Sequence, residues 1–216
     1  MRQVFKVREV PRLPWSSPSP FNLRPDLLTF LYLNLGLALF GLGEAILIAG
    51  GAGVSPWTVL ADGISRITGW RIGFSTMVIS FAILLLWIPL RQKPGMGTIL
   101  NALIIAFMID FSLPYLPKPD TIYIQLLQAV VGTFVVGIAS GIYLTANLGP
   151  GPRDGLMTGL QRVTGLPIAW VRIGLEVSAV AAGWYLGGSV GIGTLLFAIG
   201  VGPCVAIGIL LVRRFL

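Results

Sequence analysis

The sequence predicts an all-α membrane protein: six transmembrane helices arranged as two inverted three-helix repeats, each with a short re-entrant or interfacial helix. Three observations carry this reading. The first is composition: 216 residues, 55% hydrophobic and 11% charged, with a mean hydropathy of +0.87. Soluble domains carry about 25% charged residues. So apolar a chain leaves too little polar surface for a soluble exterior, and it is far too apolar for disorder. The second observation is a series of six apolar stretches. The third is an internal repeat.

About 20 apolar residues cross a bilayer core of roughly 30 Å as a helix. Stretches of that kind run over 27–49, 72–90, 97–115, 121–145, 168–187 and 192–212. Before them lies a basic, Pro-rich segment, 1–26, read as cytoplasmic and without a packed-core pattern. The first stretch is read as a retained helix, because it has spanning length and no small-x-small cleavage site follows it. Basic residues set the orientation. With the N-terminus inside, Arg2, Lys6, Arg8, Arg12, Arg24, Arg91, Lys93, Arg153, Arg162, Arg213 and Arg214 fall on the cytoplasmic side. Only Arg66, Arg71 and Lys118 fall outside, and Arg172 lies within a span. Both termini are therefore expected in the cytoplasm of a bacterial inner membrane. The net charge of +7 is explained by this edge placement, and no nucleic-acid partner is expected.

The repeat appears when the chain is slid by 96 residues without a gap. Gly53-Val-Ser-Pro56 then falls on Gly149-Pro-Gly-Pro152, and Gly63-Ile-Ser-Arg66-Ile-Thr-Gly69 on Gly159-Leu-Gln-Arg162-Val-Thr-Gly165. Gly95-Met-Gly-Thr98 falls on Gly191-Ile-Gly-Thr194. The copies are 27–116 and 121–212. Three spans per copy is an odd number, so the second copy must be upside down, as in many secondary transporters.

After its first span each copy carries a short helix, predicted over 56–68 and 152–164. Ser55 and Gly151 are the expected N-caps, Pro56 and Pro152 the first helical residues, and Gly69 and Gly165 the stops. Thirteen residues are too few to cross. Either the helix lies flat at the interface, or its glycine-rich lead dips inward and the helix returns. In the second case both helix starts point at one centre, a favourable place for an anion.

These motifs resemble the YczE/YyaS/YitT group of bacterial integral membrane proteins, most closely the YczE branch. The resemblance rests on Gly53-Val-Ser-Pro-Trp57, Gly63, Thr68-Gly-Trp70, Trp87-Ile-Pro-Leu-Arg91 and Pro94-Gly-Met-Gly-Thr98 with Asn101-Ala102. It continues through Gly149-Pro-Gly-Pro-Arg-Asp-Gly155, Val171-Arg172 with Glu176, and Gly191-Ile-Gly-Thr194, covering roughly 28–212. The resemblance implies a multi-pass plasma-membrane protein and assigns no chemistry.

Ionisable residues within spans cost about 2.5–3.5 kcal/mol each at mid-helix on insertion scales. Arg172 and Glu176, four apart, face one side and can neutralise each other. They are read either as a packing pair or as a substrate clamp. Glu44 is either hydrated near the outer interface or a proton or cation site. Asp110 is expected at the interface. Asp154 suits a helix start, whereas Arg153 there opposes the dipole and so suggests an anion contact or a lipid phosphate. Gly97, Thr98, Gly193 and Thr194 open the third and sixth spans, as packing and capping groups or as anion contacts. The six tryptophans read mostly as interface anchors.

Enzyme classes are poorly served. One cysteine and no histidine exclude a zinc site, a Ser-His-Asp triad and a His-ligated haem within one chain. Asp62-Gly-x-x-Arg66 matches a fragment of the CDP-alcohol transferases, but the paired metal-binding aspartates are missing. No enzyme, metal or cofactor is expected. The expected partners are the lipid bilayer, a small solute and a second copy in a homodimer. The leading expectation is a small permease or channel-like transporter for a small polar or anionic solute. The alternative is a scaffold that binds a protein or lipid and moves nothing.

Overall fold

The structure is a computed structural model that describes residues 10–215, all helical with no strand among the described residues. Arg2, Lys6 and Arg8 of the basic segment lie outside the described residues. Eight α-helices follow in order: α1 Leu27–Gly50, α2 Pro56–Thr68, α3 Ile72–Trp87, α4 Met96–Ser112, α5 Ile122–Thr145, α6 Pro152–Thr164, α7 Ile168–Tyr185 and α8 Ile192–Phe215. A 3-10 turn, Leu113–Tyr115, prolongs α4.

Four helices are long and apolar enough to cross a membrane: α1, α4 with its 3-10 turn, α5 and α8. The pair α2 and α3 makes a fifth if counted as one span bent by 114°. The remaining expected span, 168–187, becomes α7, whose 18 residues include Arg172 and Glu176. Those charges lower its hydropathy, so the six expected stretches yield four or five spans by this measure.

Helices α2 and α6 hold 13 residues each and end on left-handed glycines, Gly69 at φ 74° and Gly165 at φ 69°. The leads into them match too: Gly53 and Gly149 both take φ 109°. A residue with a Cβ is strained there, so glycine marks each turn.

The two halves exchange contacts. Gly193 N–H donates to Ala52 O at 2.8 Å, and the counterpart Gly97 N–H donates to Leu148 O at 2.7 Å. Each fourth helix thus opens on the loop of the other half. Helices α1 and α5 pack antiparallel. Gly36 sits against Ala139 and Tyr143, while Gly132 sits against Gly43 and Leu47. Helix α2 packs on α7 and α3 on α6, again across the halves.

One difference between the two halves bears on the site. Helix α3 packs along α4, whereas α7 and α8 hardly meet. A Cβ on Gly73 would lie 2.2 Å from Ala106 O, and the Asp110 carboxylate accepts Gly73 N–H at 2.7 Å and Phe74 N–H at 3.2 Å. The counterparts in the other half are Ala169, Gly202 and Ala206. They provide no acceptor for the start of α7, and a Cβ on Gly202 would meet nothing within 4 Å.

Two expectations are corrected by packing. The segment before α1 is partly core: Trp15 is buried against Tyr32 with ring centroids 4.6 Å apart, and Asn147 Nδ2 donates to Ser17 O at 2.7 Å. Trp87 is 1% exposed, and its Nε1 donates to Pro152 O at 3.0 Å. Neither Trp15 nor Trp87 is an interface anchor. Trp70, Trp170 and Trp184 are exposed near helix ends.

Candidate functional site

A cavity of about 340 Å³ lies where the starts of α2 and α6 meet, walled by α3, α4, α5, α7 and α8. Its position follows from the caps. Pro56 and Pro152 each open a helix directly after a glycine-rich turn, so both helices begin inside the protein body, where Pro56 and Pro152 are buried. The second residues of these helices, Trp57 and Arg153, meet: the Arg153 guanidinium carbon lies 5.4 Å from the centroid of the Trp57 ring. These are counterpart positions in the two halves, so the helix starts converge on one point. Each helix N-terminus carries roughly half a positive charge, and Arg153 adds a whole one.

Glu44 lies six residues before the end of α1, about 9 Å along the helix. It is 1% exposed. Its Oε2 accepts hydrogen bonds from Ser55 Oγ and Thr58 Oγ1, both at 2.8 Å, while its Oε1 is buried without a partner. The reading of Glu44 as a hydrated interface residue is therefore wrong: the turn before α2 folds over it and excludes water. Ser55 holds the N-cap position of α2, but its hydroxyl makes no capping bond and serves Glu44 instead.

In the second half the arrangement is transposed. The counterpart of Glu44 is Ser140, and that of Thr58 is Asp154. Asp154 Oδ2 accepts the Tyr143 hydroxyl at 2.9 Å. Each helix start thus has one carboxylate nearby, contributed by α1 in one half and by α6 itself in the other. Arg153 lies within Coulombic reach of both. Among the described residues it forms no ion pair within 4 Å and is half-buried.

Arg172 and Glu176 form the expected pair, Nε to Oε1 at 2.9 Å, on the cavity side of α7. Their side chains are 46% and 26% exposed, which places them at the rim beside the gap to α8. Gly97 and Gly193 spend their N–H groups on the opposite loops, as described above. Thr98 Oγ1 accepts Gly95 N–H at 3.1 Å and donates to Pro150 O at 2.7 Å. Thr194 Oγ1 accepts Gly191 N–H at 3.3 Å. These four residues hold the loops that carry the helix starts and do not line the cavity. Asp110 is at the opposite edge, bonded to α3.

Sequence reasoning missed Trp57, Thr58, Ser140 and Tyr143. Three of them had a usable signal. Trp57, Thr58 and Ser140 are the repeat counterparts of Arg153, Asp154 and Glu44. Tyr143 had none, because its counterpart is Leu47.

A family model described as a family of unknown function, DUF6198, matches residues 27–209. The chain is 37% identical over 209 residues to an uncharacterized protein of Haemophilus influenzae, covering 97% of this chain and 95% of the relative. It is 33% identical over 178 residues to the uncharacterized membrane protein YczE of Bacillus subtilis, covering 80% of this chain and 81% of the relative. It is also 28% identical over 173 residues to the uncharacterized protein YyaS of the same organism, covering 77% and 85%. No solved structure matches the chain.

Proposed function

The chain belongs to the DUF6198 family, and we propose that it is a small permease of the bacterial inner membrane that passes a small anionic solute between two inverted halves. The supporting observation is Arg153: a cation with no ion pair among the described residues, half-buried in a cavity where two helix N-termini converge. Removing an ion from water carries an effective penalty of several kcal/mol, which favours a counter-ion at the site. Glu44 and Asp154 stand off from Arg153 and are engaged by hydroxyls, so its guanidinium remains free to hold a carboxylate or oxyanion.

The antiparallel packing of α1 on α5, which are counterparts, supports the inversion. A twofold relation between antiparallel spanning helices has its axis in the membrane plane. In this reading α2 and α6 are re-entrant: each starts inside and returns to the side its loop came from. The excess of basic residues then places both termini in the cytoplasm. The cavity lies at the small end of the roughly 300–1,000 Å³ typical of ligand sites, which suits a small solute. Its rim, with Arg172 and Glu176, opens between α7 and α8.

The test is uptake into proteoliposomes, screened with acetate, benzoate, phosphate and nitrate. Purified protein is expected to take up at least one of these anions. Arg153→Gln should lower that uptake at least tenfold while leaving the protein folded and monodisperse. Uptake unaffected by Arg153→Gln would sink the reading. So would the absence of uptake for the whole panel, which would favour the non-transporting scaffold.

A further inference from the structure

We propose that Glu44 is a proton-binding site, occupied at neutral pH, with the proton on Oε1. The geometry singles out that atom. Both hydroxyls near the carboxyl group point at Oε2, leaving Oε1 buried and without a partner among the described residues. A carboxylate oxygen with no donor lacks the hydrogen bond that its charge requires, whereas protonation removes the charge, and an unpartnered neutral O–H costs far less to bury.

The surroundings favour a proton over a metal ion. Ser55 Oγ, Thr58 Oγ1 and Glu44 Oε2 lie 2.8–2.9 Å from one another. These are direct hydrogen-bond distances and leave no room for an ion among the three oxygens. Among the described residues no cluster of metal-ligating side chains exists either.

The charges around Glu44 decide how its proton is linked to an arriving anion. The titratable groups on the neighbouring elements come from α2, α4, α5 and α6. Helix α2 contributes only the Ser55 and Thr58 region, since Asp62 is bonded to Arg66 and to Ser189 N–H. Helix α5 contributes Tyr143, which is bonded to Asp154. Helix α4 carries Asp110, but at the opposite edge and committed to the start of α3. Helix α6 contributes Arg153 and Asp154, and Arg153 is the charged group within Coulombic reach of Glu44. Asp154, served by the Tyr143 hydroxyl and partly exposed, is the ionised carboxylate of the site in this reading. With each of the two helix starts counted at about half a positive charge, Arg153 and two ionised carboxylates sum to about zero. With Glu44 neutral, an arriving anion meets a net positive site: Arg153 and two helix starts against one carboxylate. With Glu44 ionised, that positive excess is cancelled. Proton and anion therefore favour each other's binding, as linkage requires. That consequence rests on the anion reading above; the proton site does not.

Infrared spectroscopy of the full chain in detergent, with no solute added, tests the site. The native protein should show at neutral pH the carbonyl band of a protonated carboxyl group in dry surroundings. The band should vanish in Glu44→Gln and persist in Asp154→Asn. Thr58→Val keeps the carboxyl group and removes one donor to Oε2, so it should move the band to higher frequency. No band in the native protein, a band that survives Glu44→Gln, or one unmoved by Thr58→Val overturns the assignment. Since no solute takes part, this failure is separate from failure of the uptake experiment.

Discussion

Asp110 and Glu44 are both acidic residues of apolar helices, yet they meet their surroundings in opposite ways. Asp110 accepts two backbone N–H groups at the start of α3, the donors that a helix N-terminus leaves unsatisfied. Its charge there also complements the dipole. Replacing it by alanine removes two charge-assisted bonds and leaves Gly73 N–H facing a void. Asp110→Ala is expected to destabilise the protein by about 2–3 kcal/mol, read as a lower thermal midpoint in detergent. Asp110→Asn, which keeps one acceptor oxygen, should lose less. Equal losses in the two variants would mean that the charge and the second bond contribute nothing. Glu44 has only two hydroxyl donors, both on one oxygen, and that imbalance separates a titrating group from a cap.

At the scale of the elements, glycines decide which helix pairs are fixed. A Cβ on Gly137 would lie 2.2 Å from the Cys204 Cβ, and one on Gly141 would lie 2.4 Å from the Gly208 backbone. Helix α5 can reach α8 only because both positions lack a side chain, as close helix packing in membranes requires. Gly137→Val should cost about 1–3 kcal/mol through overpacking, or should abolish the folded fraction in size-exclusion chromatography. Gly174→Ala is the contrast. Nothing lies within 4 Å of its added methyl group, so the thermal midpoint should hold or rise. A fall as large as that of Gly137→Val would show that α7 is packed against something other than lipid or solvent.

For the whole molecule, the informative feature is the broken symmetry between α3–α4 and α7–α8. The first pair is closed by Gly73 against Ala106 and by Asp110 across the helix start. In the second pair the counterparts Ala169 and Gly202 stand apart, and position 206 offers no acceptor. Both positions carry small residues, and among the described residues no side-chain hydrogen bond joins the two helices. Cysteines at Ala169 and Gly202, in a Cys204→Ser background, should crosslink slowly in the native membrane. In the permease reading the crosslinked protein should lose anion uptake and regain it on reduction. Uptake unchanged by a complete crosslink would place the solute path elsewhere.

The sequence by itself determined the membrane class, the all-helical content and the ends of both short helices. These depend on composition and on local rules: apolar runs, proline at the first helical position and glycine at a left-handed stop. The pairing of Arg172 with Glu176 was legible for the same reason, since residues four apart share one helix face. Tertiary structure decided the rest. Whether Glu44 is wet or dry depends on where a turn eleven residues later comes to rest. Trp87 reads as an anchor until α6 covers it. Arg153 reads as an orientation charge until its counterpart Trp57 arrives from the other half. Each of these outcomes is set by contacts between segments far apart in the chain, and neither local propensity nor hydropathy encodes which loop closes over which residue. The gap beside α7 is the furthest from view. It arises from a bond present in one half and missing in the other, and a repeat alignment displays the substitution of Asp110 by Ala206 without revealing that Asp110 holds a helix.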